Sequence, residues 1–268
     1  MDLQADLRAI RDDYDRDLRM RPFQGGLGHA FAWDGGCFRF TGPGAGVEEN
    51  GVLFARLDDR EADMAIAAQI AHFRALGHAF EWKLHDYDRP ADLRRRLLAA
   101  GLRAEGEETV VVRPLDGADA TPPAGAPAGL TVAEITDDAG FAGLEALMVA
   151  VYGDERHAAW LVGDLMRERR ETPGNLLLWT ARAAGEMVSA GWLRLHEGTR
   201  FASLWGGATV AEWRGRGLYG HLVGLRLAVA RQAGYRYVTV DCSADSLPIL
   251  ERRGFHRLAV VTPMIWQP

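Results

Sequence analysis

The stretch VAEWRGRGLYGHLVGLRLAVARQAGYRYVTVD, Val210–Asp241, decides the fold of the second half of the chain. The glycine-rich turn Arg214–Gly220 follows the end of one predicted strand and precedes a long helix, and Tyr237–Asp241 is predicted to be the next strand. The start of a helix has unpaired backbone N–H groups and carries about half a positive charge from the macrodipole. Because glycines let the backbone approach a ligand closely and arginines add positive charge, this turn predicts a phosphate-binding site.

Composition bounds the class of protein. The 268 residues are 48% hydrophobic, which suffices for one large domain or two of ordinary size. The net charge of −6 argues against a nucleic-acid binder held by a basic surface. The two cysteines form neither a disulfide framework nor a metal-type spacing, so no metal site is predicted. For Cys242, beside a predicted buried strand, an inert core thiol is favoured over a nucleophile.

The segment at the N-terminus is too charged for a signal peptide, and no apolar run approaches the ~18 residues of a membrane span. We therefore expect a cytoplasmic protein, monomeric or homodimeric, without membrane or nucleic-acid partners.

The region 114–129 is rich in proline, alanine and glycine and has no hydrophobic periodicity, which is typical of a linker. The sequence thus predicts two domains, 1–113 and 130–268. Both alternate helical and strand patterns, which predicts an α/β protein of the α+β type.

A weak internal repeat relates the two predicted domains. FRALGHAFEW (73–82) resembles AVARQAGYRYV (228–238), and LLAAGLRAEGEETVVV (97–112) resembles LERRGFHRLAVVTPMIW (250–266). Two copies of one fold is the economical interpretation, although helix–glycine–strand units also recur in unrelated α/β proteins. The counterpart of the phosphate turn is LDDREAD, 57–63, which has four acidic residues and no glycine. Because carboxylates repel a pyrophosphate, only the second domain is predicted to have a phosphate site.

Two nucleotide-binding motifs contain a glycine-rich turn of this kind. Gly215–Gly220 formally matches the dinucleotide pattern G-x-G-x-x-G, with Asp241 near the position of a ribose-binding acid. However, four residues separate the strand from the first glycine, and the chain after Asp241 is too short for further βαβ units. The lysine of a P-loop is absent, which excludes that motif.

The same turn resembles motif A of the GNAT superfamily of acyl-CoA-dependent N-acyltransferases, whose pattern is Q/R-x-x-G-x-G/A at a strand-to-helix junction. Arg214 and Gly217 stand at its first and fourth positions, while Tyr219 stands where glycine or alanine is usual and is followed by Gly220. The resemblance covers 130–268 in element order and includes the segment LPILERRGF, 247–255.

The resemblance implies two GNAT-like domains, each with a mixed, mostly antiparallel sheet flanked by helices. It also implies that the sheet of the second domain splays between its fourth and fifth strands to take acetyl-CoA as cosubstrate. The pantetheine would pair with Thr209 and Val210. The residues implied at the pyrophosphate are Arg214, Gly215, Arg216, Gly217, Leu218, Tyr219 and Gly220.

The implied reaction is direct acetyl transfer to a primary amine of a small molecule in a ternary complex. An amine with a pKa near 10 must lose a proton before it attacks, so a base or a water chain is required. Asp241 and Ser243 are the candidate catalytic residues, and a backbone N–H near Val210 is the expected oxyanion donor. The family tyrosine that protonates the leaving thiolate is replaced by Leu250.

Acceptor binding is placed by the resemblance at the loop between the first two helices, where Tyr152 and Asp154 are the candidates. Three tryptophans of the predicted meander, Trp179, Trp192 and Trp205, fit a core better than a substrate-binding site. Two other functions stay open at this point: a catalytically silent acyl-CoA-binding sensor or interaction protein, and a dinucleotide-dependent oxidoreductase.

Overall fold

The computed structural model describes residues 3–23, 28–116 and 125–268, so residues 117–124 of the predicted linker lie outside the described part. The helices are α1 (Leu3–Tyr14, continued by a π-helical turn Asp15–Arg19), α2 (Ala62–Leu76), α3 (Leu93–Ala99), α4 (Asp138–Tyr152), α5 (Glu155–Glu171), α6 (Leu218–Gln232) and α7 (Leu247–Glu251). The strands are β1 (Ala30–Asp34), β2 (Cys37–Thr41), β3 (Asn50–Ala55), β4 (Phe80–His85), β5 (Arg103–Ala104), β6 (Glu108–Pro114), β7 (Leu130–Glu134), β8 (Leu176–Ala183), β9 (Glu186–Leu195), β10 (Phe201–Thr209), β11 (Tyr237–Cys242) and β12 (His256–Trp266). No helix among the described residues is long and apolar enough to cross a membrane.

The chain forms two compact units, the first of which includes two segments from the C-terminal part of the chain. Unit 1 comprises Met1–Val111, Asp241–Leu247 and Arg257–Pro268, and unit 2 comprises Val112–Val240 and Pro248–His256. This division differs from the contiguous domains expected from the sequence, because β12 pairs antiparallel with β4 from Val261 to Trp266. A ladder of backbone hydrogen bonds therefore fixes the last strand in unit 1.

Unit 1 has the strand order β1-β2-β3-β4-β12-β6, with β5 also paired to β12. The first three strands form an antiparallel meander, and β3 runs parallel to β4. Phe80, Trp82 and Leu84 alternate along β4 and are buried in one cluster with residues of α2 and α3. This period-2 alternation leaves the other face of β4 to Glu81, Lys83 and His85.

Unit 2 has the strand order β11-β10-β9-β8-β7. The hairpin between β8 and β9 has Ala184 and Gly185 as its two loop residues, both at positive φ, as a tight two-residue turn requires. Helices α4 and α5 bury Phe141, Leu144 and Leu165 against β8 and β9 in one apolar cluster. Only β10 and β11 pair in parallel in the described part of this unit.

The two units repeat the same order of elements. In each, an antiparallel meander leads into a 15-residue helix, α2 or α6, and then into a strand parallel to the last strand of the meander. Both helices are followed by a glycine at positive φ, Gly77 or Gly234. The predicted fold class, a mixed and mostly antiparallel sheet flanked by helices in each unit, is confirmed.

Candidate functional site

The phosphate turn is built around two glycines in left-handed conformations. Gly215 has φ +72° and Gly217, the N-cap of α6, has φ +80°. His221 makes the first intrahelical bond, to the carbonyl of Gly217 at 2.9 Å, and no capping side chain covers this helix start. A Cβ added at either glycine would meet no atom within 4 Å. The turn therefore combines open space beside two glycines with a helix start that no side chain caps, which suits a phosphate.

Both arginines of the motif flank this turn and are exposed. Arg214 Nε donates to the Thr209 carbonyl at 3.1 Å, which ties the turn to the end of β10. The Arg216 guanidinium lies 4.5 Å from the ring centroid of Trp213, a cation–π contact that limits its conformations. Two positive charges are thus held beside the start of α6.

A third arginine, missed by the sequence analysis, lies against the first turn of α6. A Cβ at Gly220 would overlap the Arg253 guanidinium, so this glycine is required by a close approach of the two segments. Burial lowers the pKa of Arg253. Burial and the positive charge of Arg253 lower the pKa of His221. The Arg253 carbonyl accepts from Arg113. The arginine pair in LPILERRGF was the available signal, but only a long-range contact shows which member reaches the helix.

Tyr219, the departure from motif A, packs against β10. A Cβ at Gly207 would overlap its ring, so the strand has a glycine where the helix has a tyrosine. The Tyr219 ring thus occupies the space that a side chain at position 207 would fill.

The sheet of unit 2 opens beside this turn. The parallel ladder between β10 and β11 ends at Ser203 and Thr239, while β10 continues to Thr209. The predicted splay between the fourth and fifth strands of this unit is therefore present.

One candidate for the oxyanion donor expected near Val210 is excluded. The N–H of Val210 donates to the Val188 carbonyl at 3.0 Å, so it is engaged in the sheet and is not the oxyanion donor. Thr209 Oγ1 lies 2.8 Å from Ser189 Oγ, and the Thr209 carbonyl accepts from Arg214. Thr209 and Val210 lie at the end of β10, and their contacts with the cofactor stay predictions.

The counterpart of the turn in unit 1 lacks every feature of a phosphate site. Glu61 takes the place of Gly217 before α2. The Asp58 carboxylate accepts from the N–H groups of Arg60 and Glu61 at 2.8 and 2.9 Å. A carboxylate of the chain itself thus occupies the helix start, where α6 has none.

The two candidate catalytic residues belong to unit 1. Asp241 accepts from the Lys83 ammonium in an ion pair. Ser243 is exposed and its hydroxyl lies 3.2 Å from that of Ser246. Their roles in proton transfer stay predictions.

The candidate acceptor residues lie where α4 ends and α5 begins. Tyr152 is 61% exposed. Asp154 is the N-cap of α5 and accepts from the His157 N–H at 2.9 Å, a structural role that was not anticipated.

The three tryptophans of the meander differ in their exposure to solvent. Trp179 and Trp192 are buried, as expected, whereas Trp205 is 40% exposed, so its assignment to the core is wrong. The Trp205 indole is held by Ser203 Oγ at 2.6 Å and by the guanidinium of Arg194 at 5.0 Å from the ring centroid.

Leu250, at the position that the resemblance assigns to the family tyrosine, is fully buried. Among the described residues, no group of three or more His, Cys, Asp or Glu could hold a metal ion.

Comparison with known proteins gives a structural match without a sequence match. No protein-family model matches the chain, and no curated protein matches it significantly. A GCN5-related N-acetyltransferase from Kribbella flavida superposes with a TM-score of 0.71 at 15% identity, over 97% of this chain and 95% of that one. A tandem GNAT protein from the clavulanic acid biosynthesis pathway gives 0.66 at 13% identity, over 99% and 96%. A GCN5-related N-acetyltransferase from Sphaerobacter thermophilus gives 0.64 at 16%, over 87% and 76%. The chain therefore has the fold of the GCN5-related N-acetyltransferases, repeated in tandem along its length.

Proposed function

We propose that the protein transfers an acetyl group from acetyl-CoA to a primary amine of a small molecule, with one acyl-CoA site, in unit 2. The observation that carries this proposal is the uncapped start of α6 beside a splayed strand, with Gly215 and Gly217 at positive φ and open space over both. A pyrophosphate fits this turn because N–H groups, the helix dipole and three arginines all favour an anion there.

Acetyl-CoA would supply an activated thioester carbonyl. In the proposed reaction the neutral amine nitrogen forms a bond to that carbonyl carbon, the carbon–sulfur bond breaks, and the thiolate leaves with the electron pair. The proton of the amine goes to a base or through water to solvent. Arg214, Arg216 and Arg253 would bind the phosphates, and the edge of β10 would orient the thioester.

Asp241 and Ser243 remain our candidates for proton transfer. Since Asp241 already accepts from Lys83, a role as base requires it to exchange this partner. The buried Leu250 cannot donate a proton, so the thiolate would leave without an acid at that position; a thiol pKa of about 8.5 makes this feasible.

A second candidate function is a silent acyl-CoA-binding sensor, which Leu250 favours. The dinucleotide alternative does not fit, because a doubly wound parallel sheet is required for it and unit 2 has one parallel pair in its described strands.

Calorimetry with acetyl-CoA, followed by a thiol-release assay on a panel of amines, tests the proposal. Binding with turnover supports the acetyltransferase, binding without turnover on any amine supports the sensor, and absence of binding overturns both. A titration with NAD provides the negative control.

A matched pair of variants tests the location of the site. Gly217→Val and Gly234→Val place a side chain at φ +80° and +86° at opposite ends of α6, each with nothing within 4 Å of the Cβ. Both should destabilise the fold by about 1–2 kcal/mol. Only Gly217→Val should lose acetyl-CoA binding, and equal affinities of the two variants would refute the assignment.

A further inference from the structure

Strand β10 contains a bulge just beyond its ladder with β11. Trp205 pairs with Trp192 and Ala208 with Ala190, so Gly206 and Gly207 together oppose the single residue Gly191 on β9. Gly206 has φ +62°, and a Cβ there would overlap the Trp192 ring. Only glycine can occupy this point of the strand.

A buried arginine lies under the bulge. Arg226 of α6 is 1% exposed, and its Nη1 donates to the carbonyls of Trp192 at 3.0 Å and of Trp205 at 3.1 Å. Its Nε donates to the Leu222 carbonyl at 3.0 Å. A Cβ at Gly191 would lie 2.7 Å from Nη1, so β9 also has a glycine that makes room for the guanidinium.

This guanidinium has no carboxylate within ion-pair distance among the described residues; its three acceptors named above are all neutral carbonyls. Burial lowers the pKa of Arg226 to about 10, which still leaves it charged at neutral pH. Burying an unpaired charge is costly, so an apolar residue at this place in the helix would be expected if packing alone mattered.

The contacts of Arg226 define the orientation of the peptide between Trp205 and Gly206. One nitrogen reaches the carbonyls of both Trp192 and Trp205, so the Trp205 carbonyl points toward β9. In a trans peptide the N–H of the next residue points the opposite way. The Gly206 N–H therefore points toward the side where the β10–β11 ladder has ended.

We infer that Arg226 is a positioning residue that, through the Trp205–Gly206 peptide, orients and polarises the Gly206 N–H as the donor to the thioester carbonyl oxygen of acyl-CoA. A cation bound to the oxygen of a peptide draws electron density toward it and strengthens the N–H as a donor. Gly206 takes the role that the engaged N–H of Val210 cannot fill. This inference rests on the proposed function.

Isotope-edited infrared spectroscopy with [1-13C-acetyl]-CoA measures this donor directly. The thioester carbonyl stretch should move to lower frequency on binding to the wild type, and less so in Arg226→Met. In Arg226→Met, kcat should fall about 10- to 100-fold. This loss does not exceed the loss expected when a direct oxyanion donor is removed. CoA lacks the thioester carbonyl, so the affinity of Arg226→Met for CoA should stay within about twofold of the wild-type affinity because the phosphates bind elsewhere. Arg226→Lys should recover part of the shift, and Arg231→Met, on the exposed side of the same helix, should match the wild type.

A measurement on the unmodified protein covers the case in which the variants do not fold. The amide proton of Gly206 should move downfield in NMR spectra with acetyl-CoA and not with CoA. An unmoved Gly206 amide, or an unchanged carbonyl frequency in folded Arg226→Met, overturns the inference. Failure of the wild type to bind acetyl-CoA at all would instead refute the proposed function.

Discussion

The ammonium of Lys83 donates to the carboxylate of Asp241, and both side chains are largely withdrawn from water within unit 1. Although burial lowers the pKa of Lys83, the negative charge of Asp241 and its hydrogen bond outweigh burial and raise that pKa above its ordinary value. Asp241 thus keeps the Lys83 ammonium charged despite its burial.

A double-mutant cycle should reveal this coupling. Lys83→Met and Asp241→Asn should each lower the free energy of unfolding by about 2 kcal/mol, because each leaves a poorly solvated charge or dipole unpaired. The double variant should lose about 1 kcal/mol less than the sum in chemical denaturation. Strict additivity would show that the pair makes no net contribution. If Asp241 is also the base, Asp241→Asn should lose turnover far beyond its effect on stability.

Arg253 should contribute to CoA affinity while its neighbour Arg252 should not. Arg253 lies against Gly220 in the first turn of α6, whereas Arg252 is exposed. Arg253→Met should weaken CoA binding about tenfold, the value of one charge-assisted hydrogen bond, and should reduce its dependence on salt. Arg252→Met is the matched control, and equal losses in the two variants would point to a general effect of charge.

Gly207 and Tyr219 should behave as a coupled pair. Gly207→Ala places a methyl group in the Tyr219 ring and should destabilise unit 2 by about 1–3 kcal/mol, the usual range for overpacking. Tyr219→Ala removes the obstacle, so the double variant should be more stable than Gly207→Ala alone. Thermal unfolding of the three variants checks this, and a double variant no better than Gly207→Ala would contradict the contact.

Acid sensitivity should depend on His85. Its Nδ1 donates to the Lys83 carbonyl at 3.2 Å, so its Nε2 accepts from the Tyr14 hydroxyl at 3.4 Å as a neutral ring. Burial, Arg19 and Lys83 lower the pKa of His85 well below its ordinary value. The unfolded chain therefore takes up a proton that the folded chain refuses, and this stability, complete above about pH 6.5, is lost as the pH falls below it.

The variant His85→Gln isolates this contribution. It should be less stable than the wild type at pH 7.5, and the gap should narrow on the order of 1 kcal/mol by pH 5.5 as the wild type weakens. Urea titrations at the two pH values measure the gap. A gap that is constant or that widens toward acid would show that His85 is not the responsible group.

Local patterns predicted much of the fold, because helix ends and hairpins are short-range features. The repeated helix–glycine–strand units are present, with Gly77 and Gly234 at positive φ after their helices. The motif Arg214–Gly217 likewise placed the turn at the start of α6. Contacts between distant segments were not accessible in this way, which is why Arg253, the partner of the Val210 N–H and the pairing of β12 with β4 were missed.

The buried arginine has a signal in the sequence of α6. Leu225 and Val229 are only half-buried, so they do not form the inward face of the helix. Residues Leu218, Leu222, Arg226 and Ala230 follow at strict four-residue steps and are all buried. A charge in an otherwise apolar stripe is unusual enough to mark a functional position.

The placement of β12 in unit 1 has a consequence for biosynthesis. A ribosome releases β4 long before β12, so the growing chain carries β4 without the strand that covers one of its edges. An uncovered edge is a template for pairing with other chains. Unit 1 therefore cannot complete its sheet during synthesis until β12 has been made. A chain that terminates before β12 would expose the edge of β4 and would be prone to aggregation.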